Sequence, residues 1–502
     1  MKRATGILAV VVLLLGGAAL GLHMWLQSAV EELARESIAS LPLIPGCAPT
    51  KGSVENAHFI PLSRTLYLTR IHITDPAVPG LESSIESVSL RFTPRFLLAL
   101  TPLRSLVLPT QEDDMLAVVE YAQFDNLEWK MRGERCSLKQ YTADTVHITA
   151  GMLASLLDGR NTDPLDVIYH AGADSLRARG LSIKSFDRSD LNEIILDESV
   201  VVGWEGSSIH SSSLTGLHGR AGKEEIFSLQ TLQYGGITLP EPDLLRQFWQ
   251  EFLKHGNDSD ALWMACRPLL DKMTEKGALA ETVRIGTLHL YVNGQPVRLD
   301  EGGFDYPSVM PRHIAGFLRG LSLPRSLFKD SGLALPDLML DFSGSVEVLD
   351  EGRENHSYDF KASGLADVEC SFALHGKGSL FDEQAVLTHS VSNVRLMLQD
   401  RGVMAWMGRN MGGSPTAVVT RLERALNELE LQDTPQNRQI QAYLRTFIRH
   451  PGSLEVQSLF EKPVGLIQLL ETLVNPGALF TLRVSPGAVS LEDAIRALPA
   501  VK

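Results

Sequence analysis

The sequence predicts an α+β protein: an N-terminal transmembrane helix, then a β-dominated antiparallel body with helical caps, and a helical region near the C-terminus. Three observations carry that class. Thr5 to Leu26, TGILAVVVLLLGGAALGLHMWL, is an apolar run of 22 residues. Between residues 51 and 400 the chain alternates apolar and polar residues in many short runs. After Gly402 the apolar spacing changes to that of amphipathic helices, two of them opened by a Ser-Pro or Thr-Pro pair.

The apolar run follows Lys2 and Arg3, and as a helix it is about 33 Å long, enough for a hydrocarbon core of roughly 30 Å. His23 is its one strongly polar member and Trp25 stands where an interfacial aromatic anchors. A cleaved secretory signal is the alternative, with Gly17-Ala18-Ala19 as the cleavage site. Retention is favoured because the run continues past that site and Gln27 to Ser40 goes on as a charged amphipathic helix. The basic start then keeps the N-terminus in the cytoplasm and sends residues 28–502 across. Cys47, in Leu43-Ile44-Pro45-Gly46-Cys47, lies too far beyond the run for a lipoprotein cleavage box and reads as an ordinary cysteine.

The expected organisation is 1–27 cytoplasmic start and anchor, 28–50 juxtamembrane helix and connector, 51–240 β-rich lobe, 241–280 helical insertion, 281–400 second β-rich lobe, and 401–502 mainly helical region. Hydrophobic content of 44% excludes wholesale disorder. A net charge of −14 argues against nucleic acid and against broad docking on anionic lipid. Cys47, Cys136, Cys266 and Cys370 have no short spacing, so neither zinc nor a CxxC redox motif is indicated, and one or two disulfides remain open.

In chain order, Arg64–Thr74 alternates but changes apolar parity between Leu68 and Ile71, as a bulge produces, and Asp75-Pro76 turns it. Ser87–Phe92 is a second strand, Phe96–Leu100 a short helix and Ser105–Leu108 a third strand. Further strands are expected at Leu127–Met131, Thr145–Thr149, Leu181–Phe186, Glu193–Leu196, Val200–Trp204 and Glu225–Leu232. A helix at Asp243–Lys254 places Leu244, Leu245, Phe248, Phe252 and Leu253 on one face, and another follows Ser259. Strands resume at Arg284–Val292, Leu338–Leu349, Tyr358–Lys361, Asp367–His375 and Asn393–Leu398. Ser414-Pro415 opens a helix striped by Val418, Leu422, Ala425, Leu426 and Leu429. Thr434-Pro435 opens another with Ile440, Leu444, Phe447 and Ile448, stopped by Pro451-Gly452. A helix at Val464–Val474 ends at Asn475-Pro476-Gly477, and Ser490 with Asp493 forms a capping box for a last one. The order β then α occurs twice, around 51–280 and 281–480.

The anchor, the helix after it, the strand pair Gly52–Ile60 and Arg64–Thr74, then Asp75-Pro76 and Ile85–Phe92 resemble the start of AsmA-like and YdgA-like bacterial envelope proteins. Ser363–Leu374 resembles strand repeats of the same group. The resemblance covers about the first 110 residues and that later segment. It implies an inner-membrane protein facing the periplasm, with a role in lipid movement or outer-membrane homeostasis along an apolar β groove. This chain is shorter than the longest lipid bridges and ends in helices, so a shorter lipid-shielding module fits better than a conduit.

Motifs for chemistry fail on inspection. Gly216–Lys223 approaches a phosphate loop, but its first glycine is displaced and Glu224 stands at the Ser/Thr position, leaving a glycine-rich hairpin loop. Gly376-Lys-Gly378 lacks the third glycine of a dinucleotide fingerprint, and Gly320–Pro324 lacks the last glycine of a nucleophile elbow. His72, His147 and His289 sit in strand patterns without ligand spacing and read as solvent-facing, unless they converge with carboxylates in a pocket. Asp113-Asp114, Asp350-Glu351 and Asp382-Glu383 are adjacent pairs, which in a strand point to opposite sides. Met404, Trp406 and Met407 read as a core face of a helix, or as a docking patch. The expectation is therefore a non-catalytic, membrane-anchored envelope protein that shields or transfers lipid or supports outer-membrane assembly, with no cofactor, metal or nucleic acid. It would be held at the inner membrane by residues 5–26. Alternatives are an assembly or regulatory partner using the helices at 415–431 and 435–450, and a hydrolase whose site the sequence does not locate.

Overall fold

Long stretches of alternating apolar and polar residues commit this chain to strands, and the computed structural model builds nearly all of them into antiparallel ladders. It describes residues 24–39, 51–74, 82–101, 104–108, 111–131, 134–158, 163–185, 191–255, 264–269, 272, 280–292, 294–307, 312–328, 335–350, 352–376, 388–429, 431–460, 462–471 and 475–499. The expected span 5–26 lies outside these residues except for 24–26, which begin a helix over 24–39. Among the described residues no helix is long and apolar enough to cross a membrane. Cys47, Ser259 and Asp382-Glu383 also lie outside them. The chain divides into two units, Met1–Ala280 and Glu281–Lys502.

The first unit is a meander of nine strands: β1 (Lys51–Ile60), β2 (Thr65–Thr74), β3 (Glu82–Phe92), β4 (Met115–Met131), β5 (Glu134–Thr149), β6 (Ala171–Ser185), β7 (Glu193–Glu205), β8 (Ser208–Ala221) and β9 (Glu224–Thr238). Each pairs antiparallel with the next. The strands are longer than the sequence pattern indicated: Glu193–Leu196 and Val200–Trp204 join into one, and β8 was not foreseen. Ser105–Leu108 is corrected from strand to a helical turn, Arg104–Val107, closed by hydrogen bonds from Arg104 N to Thr101 O and from Leu108 N to Arg104 O. Four apolar residues are too few to fix a period.

The parity break on β2 is real and is part of something larger. Arg70 has a positive φ of 52°, and the regular pairing lapses there against Glu55 on one side and Glu86 on the other. Leu66 and Leu68 before it, and Ile71 and Ile73 after it, all enter the same buried core, so the apolar face is kept across a step of three residues. The lapse continues strand by strand through Asn126, Lys139, Gly180, Asp197, Gly216 and Gln230, with positive φ at Asn126, Gly180 and Gly216. A second lapse, six residues further along each strand, passes through Glu120, Thr145, Asp174, Gly203, His210 and Gly236, with positive φ at Thr145, Gly203 and Gly236. Left-handed backbone favours Gly and Asn, which hold most of these positions, and each such irregularity bends its strand. Two creases thus cross the sheet.

The helix over 24–39 lies on this core through Val30, and Glu31 accepts a hydrogen bond from Phe59 N at 2.9 Å. Short helices at Pro94–Ala99 and Ala150–Leu157, capped by Thr93 and Thr149, close the same core. A further helix, Pro242–His255, follows β9 as the sequence predicts.

In the second unit β13 (Glu301–Asp305), β14 (Arg312–Leu323), β15 (Leu338–Asp350), β16 (Arg353–Ala362), β17 (Ala366–His375) and β18 (Ser390–Asp400) pair in order. β19 (Ser453–Ser458) and β21 (Phe480–Ser485) extend the sheet beyond β18, and the two-residue β20 (Val464–Gly465) also pairs with β18. β10 (Ala280–Ile285) pairs with β13, and β11 (Leu288–Val292) forms a hairpin with β12 (Gln295–Leu299). The expected strand Arg284–Val292 is thus split at residues 286–287.

The region 401–502 holds, besides its helices, the strands β19, β20 and β21, which were hidden among helix signals. Val464–Val474 begins in β20 and becomes a helix only over Leu466–Glu471. The other helices stand where expected, Pro415–Glu428 and Pro435–Arg449 with caps Ser414 and Thr434, and Leu491–Ala497 with cap Ser490. Val418 of the first and Leu491 and Ile495 of the last form a core with Ala405 of a further helix, Val403–Asn410.

Candidate functional site

Cross-strand partners in an antiparallel ladder point to the same side of the sheet, so register alone identifies each face. In the first unit one row reads Leu127, Leu138, Leu181, Leu196, Leu217 and Leu229 on six consecutive strands. It continues on β3, β2 and β1 as Ile85, Ile71 and Val54. Directly across the first crease lies a polar row, Asp125, Gln140, Arg179, Glu198, Thr215 and Thr231, in which Arg179 Nε donates to Glu198 at 2.7 Å. The sheet therefore has one aliphatic and one polar face.

The two halves of the aliphatic face differ in cover. Residues from β1 to β5 make up the strand part of the core under the helix at 24–39, and among the described residues none of that core comes from β6–β9. Leu181, Leu217 and Leu229 are half-buried, whereas Leu138 and Leu196 are buried. Leu181, Leu217 and Leu229 thus keep part of their apolar surface in solvent on β6, β8 and β9.

The second unit repeats the arrangement with aromatic residues. Leu318, Phe342, Phe360, Val368 and Leu398 form one row, and Phe304, Gly316, Gly344, Tyr358, Cys370 and Leu396 the neighbouring row on the same face. Phe304, Leu318, Phe342 and Phe360 are each 37–38% exposed, which makes them adjacent exposed apolar groups and not isolated ones. At one end of this face His356 is buried, stacked on Phe372 at 4.7 Å, and joined to Glu354 and Tyr358, each at 3.0 Å.

Polar hollows are the competing candidates. One of about 400 Å³ is lined by Glu112, Asp113, Asp158 and His170 at the start of the helix Ala150–Leu157. Two of its groups are engaged: Arg104 pairs with Asp158 at 3.0 Å, and His170 Nδ1 meets Asp166 O at 2.7 Å. A second, of about 260 Å³, lies over Asp359, Glu369 and Arg395 on the polar face of the second unit. Neither brings a nucleophile together with a base and an orienting acid.

The residues singled out from sequence do not converge. His72 is exposed on β2, and its register line meets β5 at Ser137, ten residues from His147. His147 pairs with Asp174 at 3.3 Å, and hydrogen bonds from Thr145 and His147 hold that carboxyl below its usual value. His289 lies opposite Arg298 in the second unit. Gly216 and Gly219 belong to β8, so only residues 222–223 form the hairpin turn that the whole glycine-rich stretch suggested. Gly320 is a positive-φ bulge in β14, and Asp113 is in a turn. Ala405 and Trp406 are buried, while Met407 is exposed. Among the described residues no group of His, Cys, Asp and Glu is placed to hold a metal, and Cys136, Cys266 and Cys370 are free thiols. The aliphatic rows were missed as a site because they emerge only when nine strands are in register.

A family model described as an uncharacterized protein matches residues 355–484, from β16 through the helices to β21. No curated protein matches the chain.

Proposed function

We propose that this protein is a non-catalytic, membrane-anchored component of a bacterial envelope that holds lipid acyl chains against its apolar sheet faces. The observation that supports this most is the half-buried Leu181, Leu217 and Leu229 of β6, β8 and β9, strands that among the described residues give nothing to the core round the helix at 24–39. Laying an acyl chain on such a row removes apolar area from water on both sides, at about 25 cal/mol per Å². The apolar run at 5–26 supports placing that surface beside a membrane, with the bulk of the chain in the periplasm. The burial of Val418, Leu426, Ile440 and Phe447 within the protein gives the partner-helix alternative less support than the sheet face has.

Photocrosslinking tests the reading face by face. Benzoylphenylalanine placed at Leu217 or Leu229 in the full chain is expected to capture phospholipid in membranes. The same group at Thr215 or Thr231, on the polar face, is expected to capture none. Equal capture from both faces, or none from either, would overturn the proposal.

A further inference from the structure

The apolar face of the second unit ends in an arginine, Arg312, that has no counter-ion among the described residues. Arg284 and Arg319 are paired with Asp305 at 2.6 Å and Glu301 at 3.3 Å, but Arg312 has no carboxylate partner among the described residues. Its Nη1 donates to the Tyr306 hydroxyl at 3.2 Å, and its guanidinium lies 5.7 Å from the centre of that ring. Its Nε is buried with no hydrogen-bond partner. A buried guanidinium donor left open asks for an acceptor, and a carboxylate or phosphate is the geometry it fits.

A trench lies on the same face as Arg312, separated from it by Ile314 and its register partner Val346. Gly316 and Gly344 are register partners, and the open floor is at Gly316, because the Tyr358 and Phe342 rings cover Gly344. A Cβ on Gly316 would meet nothing nearer than the Gly303 carbonyl oxygen at 3.6 Å, so the floor is open there. One wall is Phe304 stacked on Tyr306, with ring centres 6.0 Å apart. The other is Phe342 stacked on Tyr358 at 6.3 Å, and Tyr358 leans over Gly344 so closely that a Cβ there would lie 2.8 Å from its ring. From Arg312 to the exposed Leu318 the strand runs six residues, about 20 Å, which suits an extended acyl chain. Glu354, two strands from Arg312 on the same register line, is occupied by His356.

We propose that this trench takes a single-chain anionic amphiphile, with its acyl chain over Gly316, between the Phe304 and Phe342 rings, and its carboxylate or phosphate on Arg312. The inference rests on the acyl-holding reading above and adds the headgroup. The test labels the full chain in detergent with a diazirine-bearing palmitate and with its methyl ester, and maps the adducts by peptide mass spectrometry. Palmitate is expected to label β14–β16 about tenfold more than the ester, since a charged hydrogen bond carries that difference. Arg312→Gln is expected to bring palmitate down to the ester's level while leaving the ester unchanged, and Arg312→Lys to restore part of the preference. Gly316→Leu, which fills the floor, is expected to remove both. Equal labelling by acid and ester would refute the headgroup while leaving the acyl-holding reading intact. Absence of labelling by either would refute both for this face. Inorganic phosphate that competes as well as unlabelled palmitate at equal concentration would show a free-anion site and overturn the amphiphile.

Discussion

Gly216→Ala probes the crease that bends the first unit. At a φ of +66° any side chain occupies left-handed backbone, which costs roughly 1–2 kcal/mol. The new Cβ would also lie 2.2 Å from Asp197 Oδ2 and 2.6 Å from its Cγ. Pushing that carboxylate aside costs about 1 kcal/mol more through an off-rotamer side chain. Gly222 is the natural control, because it has nearly the same φ, +63°, yet a Cβ there meets nothing within 4 Å. Gly216→Ala should therefore destabilise by about 2–3 kcal/mol and Gly222→Ala by about 1–2 kcal/mol. Adding Asp197→Gly, which also removes the Asp197 Cβ at 2.9 Å, should remove the difference. Native-state hydrogen exchange of β7–β9 reads these values locally, without assuming that two units unfold together. If Gly216→Ala and Gly222→Ala cost the same, the carboxylate does not rest over the glycine and the account of the crease is wrong.

Other perturbations follow from the same structure. Phe447→Ala, at a 5% exposed position of the helix Pro435–Arg449, should cost about 3–5 kcal/mol in urea denaturation, whereas Leu429→Ala, half exposed, should stay within about 0.5 kcal/mol. The reverse order would mean that the helix pair faces outward and would revive a partner surface there. Burial pushes the Cys136 thiol up to about 11, so the peptide carrying it should resist alkylation at pH 8 until the protein unfolds, as mass spectrometry of labelled digests would show. Burial also raises the Asp400 carboxyl, against the pull of hydrogen bonds from Met404 and Gly402. A raised folded value means that ionisation weakens the fold, so stability should increase as pH falls through it, and Asp400→Asn should flatten that part of the pH profile.

The helical part of the chain was legible because local chemistry decides it: Ser414, Thr434 and Ser490 each accept a hydrogen bond from the amide three residues on, whatever packs nearby. Strand existence was also legible, but strand length was not, because the creases interrupt alternation in mid-strand and make one strand look like two, as at Asp197 in β7. A local signal was present in the three-residue step from Leu68 to Ile71 and recurs from Leu214 to Leu217 and from Leu229 to Leu232. The leucine row and the trench at Arg312 were not legible, since each depends on residues brought level from strands far apart in sequence. Arg312 in particular looks like any surface arginine until Asp305 and Glu301 are seen to be taken by other partners.

The most direct measurement is mass spectrometry of lipid retained by the full chain after gentle detergent extraction and extensive washing. The account predicts stoichiometric phospholipid or single-chain lipid, reduced by Leu217→Lys and Leu229→Lys in a protein whose circular dichroism is unchanged. Retained lipid no greater than that of an unrelated single-pass protein prepared in parallel would contradict it.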